Sequence, residues 1–505
     1  MNNPLKKLAG QTAIYGFSSI VGRFLNFLLT PLFAVYFAKD QFGIITEMYA
    51  YVAFLVVFLT YGMETAYFRF ITLEEQKDKP VYSTVLISLL STTFIFIATA
   101  VVFAQPVADW LQYPNHTEYV IWFAIIVGLD AVSSIPLAQL RADNKALRFA
   151  LVNFVNIGVN ISLNLFFIVY CSANYETNSN WLIDIFYNSE IGVGYVFISN
   201  LIASICKFLL LAPGMKLSEG IQFSLWKKMF RYSSPMLIVG LAGIVNETID
   251  RILIKKIVYA QQLEALGSQA ANTFAQEQNG IYGANYKLAM IISMFIQAYR
   301  YAAEPFFFKE EQKKDSKETY VKIMNYFIIV VAFMFLVITL YISIFKYFIP
   351  NPDFWEGLHI VPILLAAYVC LGIYYNQSIW YKLSQKTGYG AIISLAGAVL
   401  TITINLLFIP IYGYTAAAWA TLSCYSFMMI ISYFIGKRHY PIPYNIKKFF
   451  IYAGTALAIY IFSIKGRSLE MLSLSGYIIN TILLSLFIAL AYFIEKSEFK
   501  TLRNG

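Results

Sequence analysis

Asn153, Asn156, Asn160 and Asn164 recur at intervals of three, four and four residues inside an apolar stretch. On a helix that spacing places four amides on one face. Amides donate and accept hydrogen bonds without carrying charge, which suits the hydroxyls of a sugar. The same row also suits packing between buried helices. Ionisable side chains interrupt other apolar stretches: Arg23, Glu47, Glu64, Asp130, Lys207, Glu247, Asp250, Lys287, Arg300 and Glu304. An ionised group in hydrocarbon is costly, so each should face a cavity or an opposite charge. Arg23 and Lys287 read as functional cations. Arg300 and Glu304 are one turn apart, as are Glu247 and Arg251, and each pair can form an ion pair on its own helix. Lys207 is placed to snorkel.

Other chemistries find little support. Cys171, Cys206, Cys370 and Cys424 form no CxxC pair, so neither a disulfide scaffold nor a zinc site is expected. His116, His359 and His439 are far apart, which argues against a histidine metal centre. Glu264 and Glu277 stand in the longest loop, 251–278, as unpaired carboxylates, and no loop carries a clustered catalytic set. A membrane-embedded glycan polymerase or ligase therefore remains only an alternative, and no enzyme activity is expected.

The elements that must position these residues are membrane helices. Of 505 residues 59% are apolar and 13% are charged, about half the charge a soluble domain carries. A span needs about 20 apolar residues. Fourteen segments qualify: 11–37, 43–68, 81–104, 116–138, 147–170, 190–213, 229–250, 279–302, 321–345, 357–378, 388–410, 414–436, 447–464 and 473–494. They are continuous rather than alternating, so helices are expected and not a barrel. With both termini in the cytoplasm, 26 of the 37 Lys and Arg face inside, seven face outside and four lie within helices. That split obeys the positive-inside rule. Its weak spot is the outer loop holding Arg251, Lys255 and Lys256.

A repeat divides the chain. Ile20-Val21-Gly22 matches Ile238-Val239-Gly240, and an offset of 237 pairs Gly43 with Gly280, Tyr49 with Tyr286 and Phe70 with Phe307. Asn164-Leu165 matches Asn405-Leu406. Six helices separate the partners, so both halves enter the membrane in one direction. The expected fold is an all-α integral membrane protein with two pseudo-symmetric six-helix lobes, 1–213 and 229–436. Residues 214–228 should be a cytoplasmic linker lying on the membrane surface. Residues 437–505 should form helices 13 and 14 and a cytoplasmic tail. Pro31 and Pro235, in the first helix of each half, are hinge candidates.

Three stretches carry a resemblance: GQTAIYGFSSIVGRFLNFLLTPLFAVYF at 10–37, GIYGANYKLAMIISMFIQAYRYAAEPFFF at 280–308 and NLLFIPIYGYTAAAWATLSCY at 405–425. With them the chain resembles the polysaccharide flippases of the multidrug/oligosaccharidyl-lipid/polysaccharide exporter superfamily, over nearly its whole length. The resemblance implies a lipid-linked cargo, an undecaprenyl-diphosphate oligosaccharide moved to the periplasmic leaflet of the bacterial inner membrane by alternating access. It gives Arg23, Lys287 and Arg300 a diphosphate to hold and Asn153, Asn156 and Asn160 a glycan. Asp130, Glu64, Glu247 and Asp250 become candidates for coupling to H⁺ or Na⁺. No cofactor is implied. Membrane lipids and the polysaccharide assembly machinery are expected partners, nucleic acid is not, and a monomer suffices. The sister branch, cation-coupled multidrug exporters, is the second reading.

Overall fold

The computed structural model describes residues 20–73, 80–177, 180–215, 217–311, 315–464 and 474–503. The first nine residues of the expected segment 11–37 fall outside that set. All regular structure among the described residues is helical. The described residues begin with α1 (Ile20–Tyr36) and α2 (Lys39–Thr60), followed by α3 (Met63–Ile71). Next come α4 (Val81–Val102), the short α5 (Ala104–Trp110), α6 (Thr117–Ala142), α7 (Ala146–Asn164) and α8 (Gly194–Leu211). Two long helices follow, α9 (Phe223–Leu266) and α10 (Ser268–Glu310). Further along are α11 (Ser316–Leu340), α12 (Val361–Gln377), α13 (Ile379–Leu383), α14 (Gly388–Tyr412), α15 (Tyr414–His439), α16 (Ile446–Ile464) and α17 (Leu474–Arg503).

Eleven helices among the described residues are long and apolar enough to cross a membrane. This is a multi-span membrane protein. Helices α9 and α10 carry too many polar and charged residues to enter that count, Asn246, Glu247 and Asp250 on one and Asn285 and Lys287 on the other. Large apolar side chains such as Phe94, Val102, Leu147 and Phe450 point outward, as they must where the solvent is hydrocarbon.

Two sequence expectations change here. The stretch 251–278 is not a loop: α9 has 44 residues and α10 has 43, separated by Gly267 alone. Gly267 ends α9 at φ 77°, a conformation glycine adopts without steric cost. At 1.5 Å per residue α9 runs ~66 Å, about twice the hydrocarbon thickness. The surface helix expected before residue 229 is likewise the opening of α9, whose first residue is Phe223.

The chain divides into two compact units, one ending at Gly280 and one beginning at Ile281. The division falls after the hairpin turn because α9 packs along α2. Within the first unit α6 packs against α2, α4 and α8, and α7 against α8. Met63, Leu86, Leu89, Ile135 and Met229 belong to one of its apolar clusters. Within the second unit α15 packs against α12 and α14, and α11 against α12 and α16. Residue Tyr61, at φ 33°, and Gly62, at φ 72°, break the helical run between α2 and α3.

Candidate functional site

Three polar sites stand inside the helices. The first is toward the N-terminal end of α2, expected to face outside. The turn Leu111-Gln112-Tyr113 joins α5 to α6, and Gln112 adopts φ 61°. It directs the carbonyls of Trp110 and Leu111 to α9: Lys255 Nζ donates to Leu111 O at 2.5 Å and Lys256 Nζ to Trp110 O at 2.5 Å. Lys255 also donates to Gln112 Oε1 at 2.6 Å. Lys256 lies over the Trp110 ring at 4.1 Å. Glu47 comes from α2: its Oε2 accepts from Tyr113 Oη at 2.5 Å and Gln276 Nε2 at 2.8 Å, and lies 3.7 Å from Lys255 Nζ. Both charged side chains are fully buried. Burial lowers the ammonium of Lys255, beyond the expected span 229–250, to about 8, against the opposing pull of Glu47.

Beside this network two helices meet without side chains. A Cβ on Gly43 would collide with the Gln276 carbonyl, and one on Gly280 with the Lys39 carbonyl. These are the glycines that the repeat pairs. Only glycine permits so close an approach.

The second site lies between α6 and α8. Asp130 Oδ1 accepts from Lys207 Nζ at 2.6 Å and Ser204 Oγ at 3.0 Å. Lys207 thus has a carboxylate partner, where the sequence suggested snorkelling. The third is a pair of clusters at the ends of helices expected to face inside. In the first unit Glu64 on α3 pairs with Arg141 in the last turn of α6. In the second unit Glu304 Oε1 takes Lys382 Nζ at 2.6 Å and Arg300 Nη2 at 3.4 Å.

The remaining sequence-derived residues lie on several helices. Arg23 is exposed on α1 in the first unit, and Lys287 is half-buried in the second. Glu247 is exposed, whereas Asp250 is buried and accepts from the Arg251 amide at 2.9 Å. Asp130 and Glu64 each hold a basic partner, and α6 carries both Asp130 and the partner of Glu64. The amide row is partly spent internally. Asn153 donates to Phe149 O at 3.0 Å, and Asn164 is buried against Asn160 at 3.1 Å. Asn160 reaches Asn26 on α1 at 3.5 Å, and Asn156 is half-buried on the same face. Sequence reasoning misses Lys255, Tyr113, Gln276 and Lys382. Lys255 and Lys256 do leave a signal, because they break the positive-inside pattern. Both lysines are held by carbonyl oxygens, Lys256 also by the Trp110 ring, and Lys255 lies near the Glu47 carboxylate.

A bundle of apolar helices holding ion pairs in its interior is the build of a multi-span membrane protein. The chain belongs to the polysaccharide biosynthesis protein family, whose model matches residues 8–311. Its fold is similar to the lipid II flippase MurJ in an inward closed conformation, with a TM-score of 0.65 and 14% identity over 95% of this chain and 98% of that one. An inward-facing multidrug resistance MATE family transporter of the MOP superfamily gives 0.57 at 13% identity, over 85% and 94%. The crystal structure of a MATE mutant gives 0.53 at 14%, over 85% and 95%. Among curated proteins none matches the chain. The solved structures that share its fold are a lipid flippase and multidrug transporters.

Proposed function

We propose that this protein flips an undecaprenyl-diphosphate-linked oligosaccharide from the cytoplasmic to the periplasmic leaflet of the bacterial inner membrane, for surface polysaccharide synthesis. The observation that carries the reading is the joint one: a polysaccharide biosynthesis family on the fold of a lipid II flippase, matched over 95% of the chain. In this reading fourteen helices form two six-helix lobes plus two, both termini lie in the cytoplasm, and the lobes alternate access as a monomer. Arg23, Lys287 and Arg300 hold the diphosphate, since guanidinium and ammonium groups bind phosphate oxygens by charge-assisted hydrogen bonds. Asn153, Asn156 and Asn160 meet the sugar. Asp130, Glu64, Glu247 and Asp250 carry the coupling ion, H⁺ or Na⁺. The lipid tail stays in hydrocarbon. An apolar cleft of about 230 Å³ between α11, α15 and α16, lined by Met324, Met429, Phe449 and Phe450, suits an isoprenoid.

Deletion of the gene tests the reading. Complete repeat units should accumulate on lipid while surface polymer disappears. Incomplete units, or two normal pools, would contradict it. The likeness to multidrug transporters favours cation-coupled drug export as a second reading, at lower structural similarity. Dye efflux driven by a Na⁺ or H⁺ gradient in vesicles would bring it forward.

A further inference from the structure

The ends of the helices expected to face the cytoplasm repeat one construction with one difference. In the first unit, Glu64 on α3 faces Arg141 on α6, whose guanidinium lies 4.9 Å from the Phe68 ring centre. In the second unit, Glu304 on α10 faces Lys382 on α13, and the Arg300 guanidinium lies 4.0 Å from the Tyr375 ring centre. The two glutamates are 240 residues apart and the two partner cations 241. The repeat offset is 237, so the difference is about one helical turn. The first cluster holds one base for its one acid. The second holds two bases on a single carboxylate oxygen, Lys382 at 2.6 Å and Arg300 at a long 3.4 Å. Among the described residues it therefore has one cationic charge in excess.

That excess is accessible. The side chains of Arg300, Lys382 and Glu304 are 36%, 25% and 39% exposed. Lysine has three N–H donors and arginine five, and Glu304 engages only part of them. A diphosphate presents several anionic oxygens to the same donors and adds charge that a lone carboxylate lacks. The Glu304 carboxylate holds the two cations together.

We propose that Arg300, Lys382 and Glu304 form an anion-exchange site, in which the phosphate of a lipid-linked substrate replaces Glu304 on the two cations. Lys382 is then a phosphate-binding residue in its own right, and Glu304 is a competing resident anion. The assignment rests on the flippase reading for its ligand and deepens it. It differs from a purely structural brace in the sign of one effect. Removing a brace weakens binding, whereas removing a competitor strengthens it.

The experiment titrates undecaprenyl diphosphate into the full-length protein in nanodiscs of neutral lipid, following intrinsic tryptophan fluorescence. Glu304→Gln should bind at least threefold more tightly than the wild type. Lys382→Gln and Arg300→Gln should bind at least tenfold more weakly. Lys386→Gln, which removes an exposed charge from the same segment, should leave binding unchanged. Equal or weaker binding by Glu304→Gln overturns the exchange. If that variant melts too early to titrate, Lys382→Arg against Lys382→Gln decides: retained binding in the first and loss in the second supports the site, and equal loss overturns it. Inorganic pyrophosphate that competes with the lipid supports recognition of the diphosphate group. Phosphatidylglycerol that competes equally well overturns it in favour of bulk lipid anions. The variant order is read independently of the gene deletion, so normal glycan pools beside tight diphosphate binding would retire the flippase reading and leave the site standing.

Discussion

Glu47 and Glu64 stand 17 residues apart on the consecutive helices α2 and α3. Glu47 has no exposed side-chain surface, and its Oε1 is buried with no hydrogen-bond partner among the described residues. Glu64 is 40% exposed and pairs with an Arg141 that is 35% exposed. Both are carboxylates with a basic partner, yet the two pairs answer to different physics. In the sealed network desolvation is large, and each charge is tolerated only while its partners remain. In the wet pair water screens the attraction, and losing a partner costs little. The first arrangement is suited to holding one conformation. The second is suited to exchanging partners.

The contrast breaks most clearly at Glu47. Glu47→Ala leaves Lys255 buried without its counter-charge and should destabilise the purified protein by about 3–5 kcal/mol in denaturant unfolding. Glu47→Gln combined with Lys255→Met should cost less than the sum of the two single changes. A loss below about 1 kcal/mol for Glu47→Ala would show that water reaches the network and that the contrast is false.

The pH dependence sharpens the same point. Lys255 sits at about 8 in the folded protein against an ordinary 10.5. Between those values the unfolded chain binds the proton and the folded chain does not, so stability rises with pH across that window. The gain is capped at roughly 3 kcal/mol. A melting series should show it in the wild type and not in Lys255→Met; parallel curves would remove Lys255 as the cause.

Gly280→Ala drives a methyl group into the Lys39 carbonyl, and overpacking of this kind costs about 1–3 kcal/mol. An unchanged melting temperature would mean that the helices slide apart freely. The smallest effect is expected at the wet pair. Glu64→Gln should cost less than about 1 kcal/mol, and high salt should shrink the cost further. A loss as large as that of Glu47→Ala would erase the distinction between the two ends.

How much of this is legible follows from where each signal lies along the chain. The apolar runs are local, so most membrane helices can be counted from sequence. Arg300 and Glu304 are one turn apart, so their pairing is legible as well. Lys382 enters the same cluster from 78 residues away and carries no local mark. Glu47 and Lys255 are separated by 208 residues, and only the misplaced positive charge hints at their contact. The hairpin reads as a loop because 251–278 lacks a long apolar run. Yet its Ala, Gln, Glu and Leu residues are good helix formers, and tertiary contacts from Gln276 and Asn272 tie it down. Spacing puts the amide row on one face, but whether an amide is spent on its own helix, as Asn153 is, depends on rotamers that spacing does not reveal.

The facing of Gly43 against Gln276 and of Gly280 against Lys39 has a consequence for mutation itself. A joint made of bare backbone has nothing to trim: every substitution at either glycine adds volume and acts as a shim, never as a cut. Variation can therefore loosen this seam only by wedging it. A screen for variants that leak small solutes should return alanine and serine at these two positions before it returns any change in the surrounding polar residues.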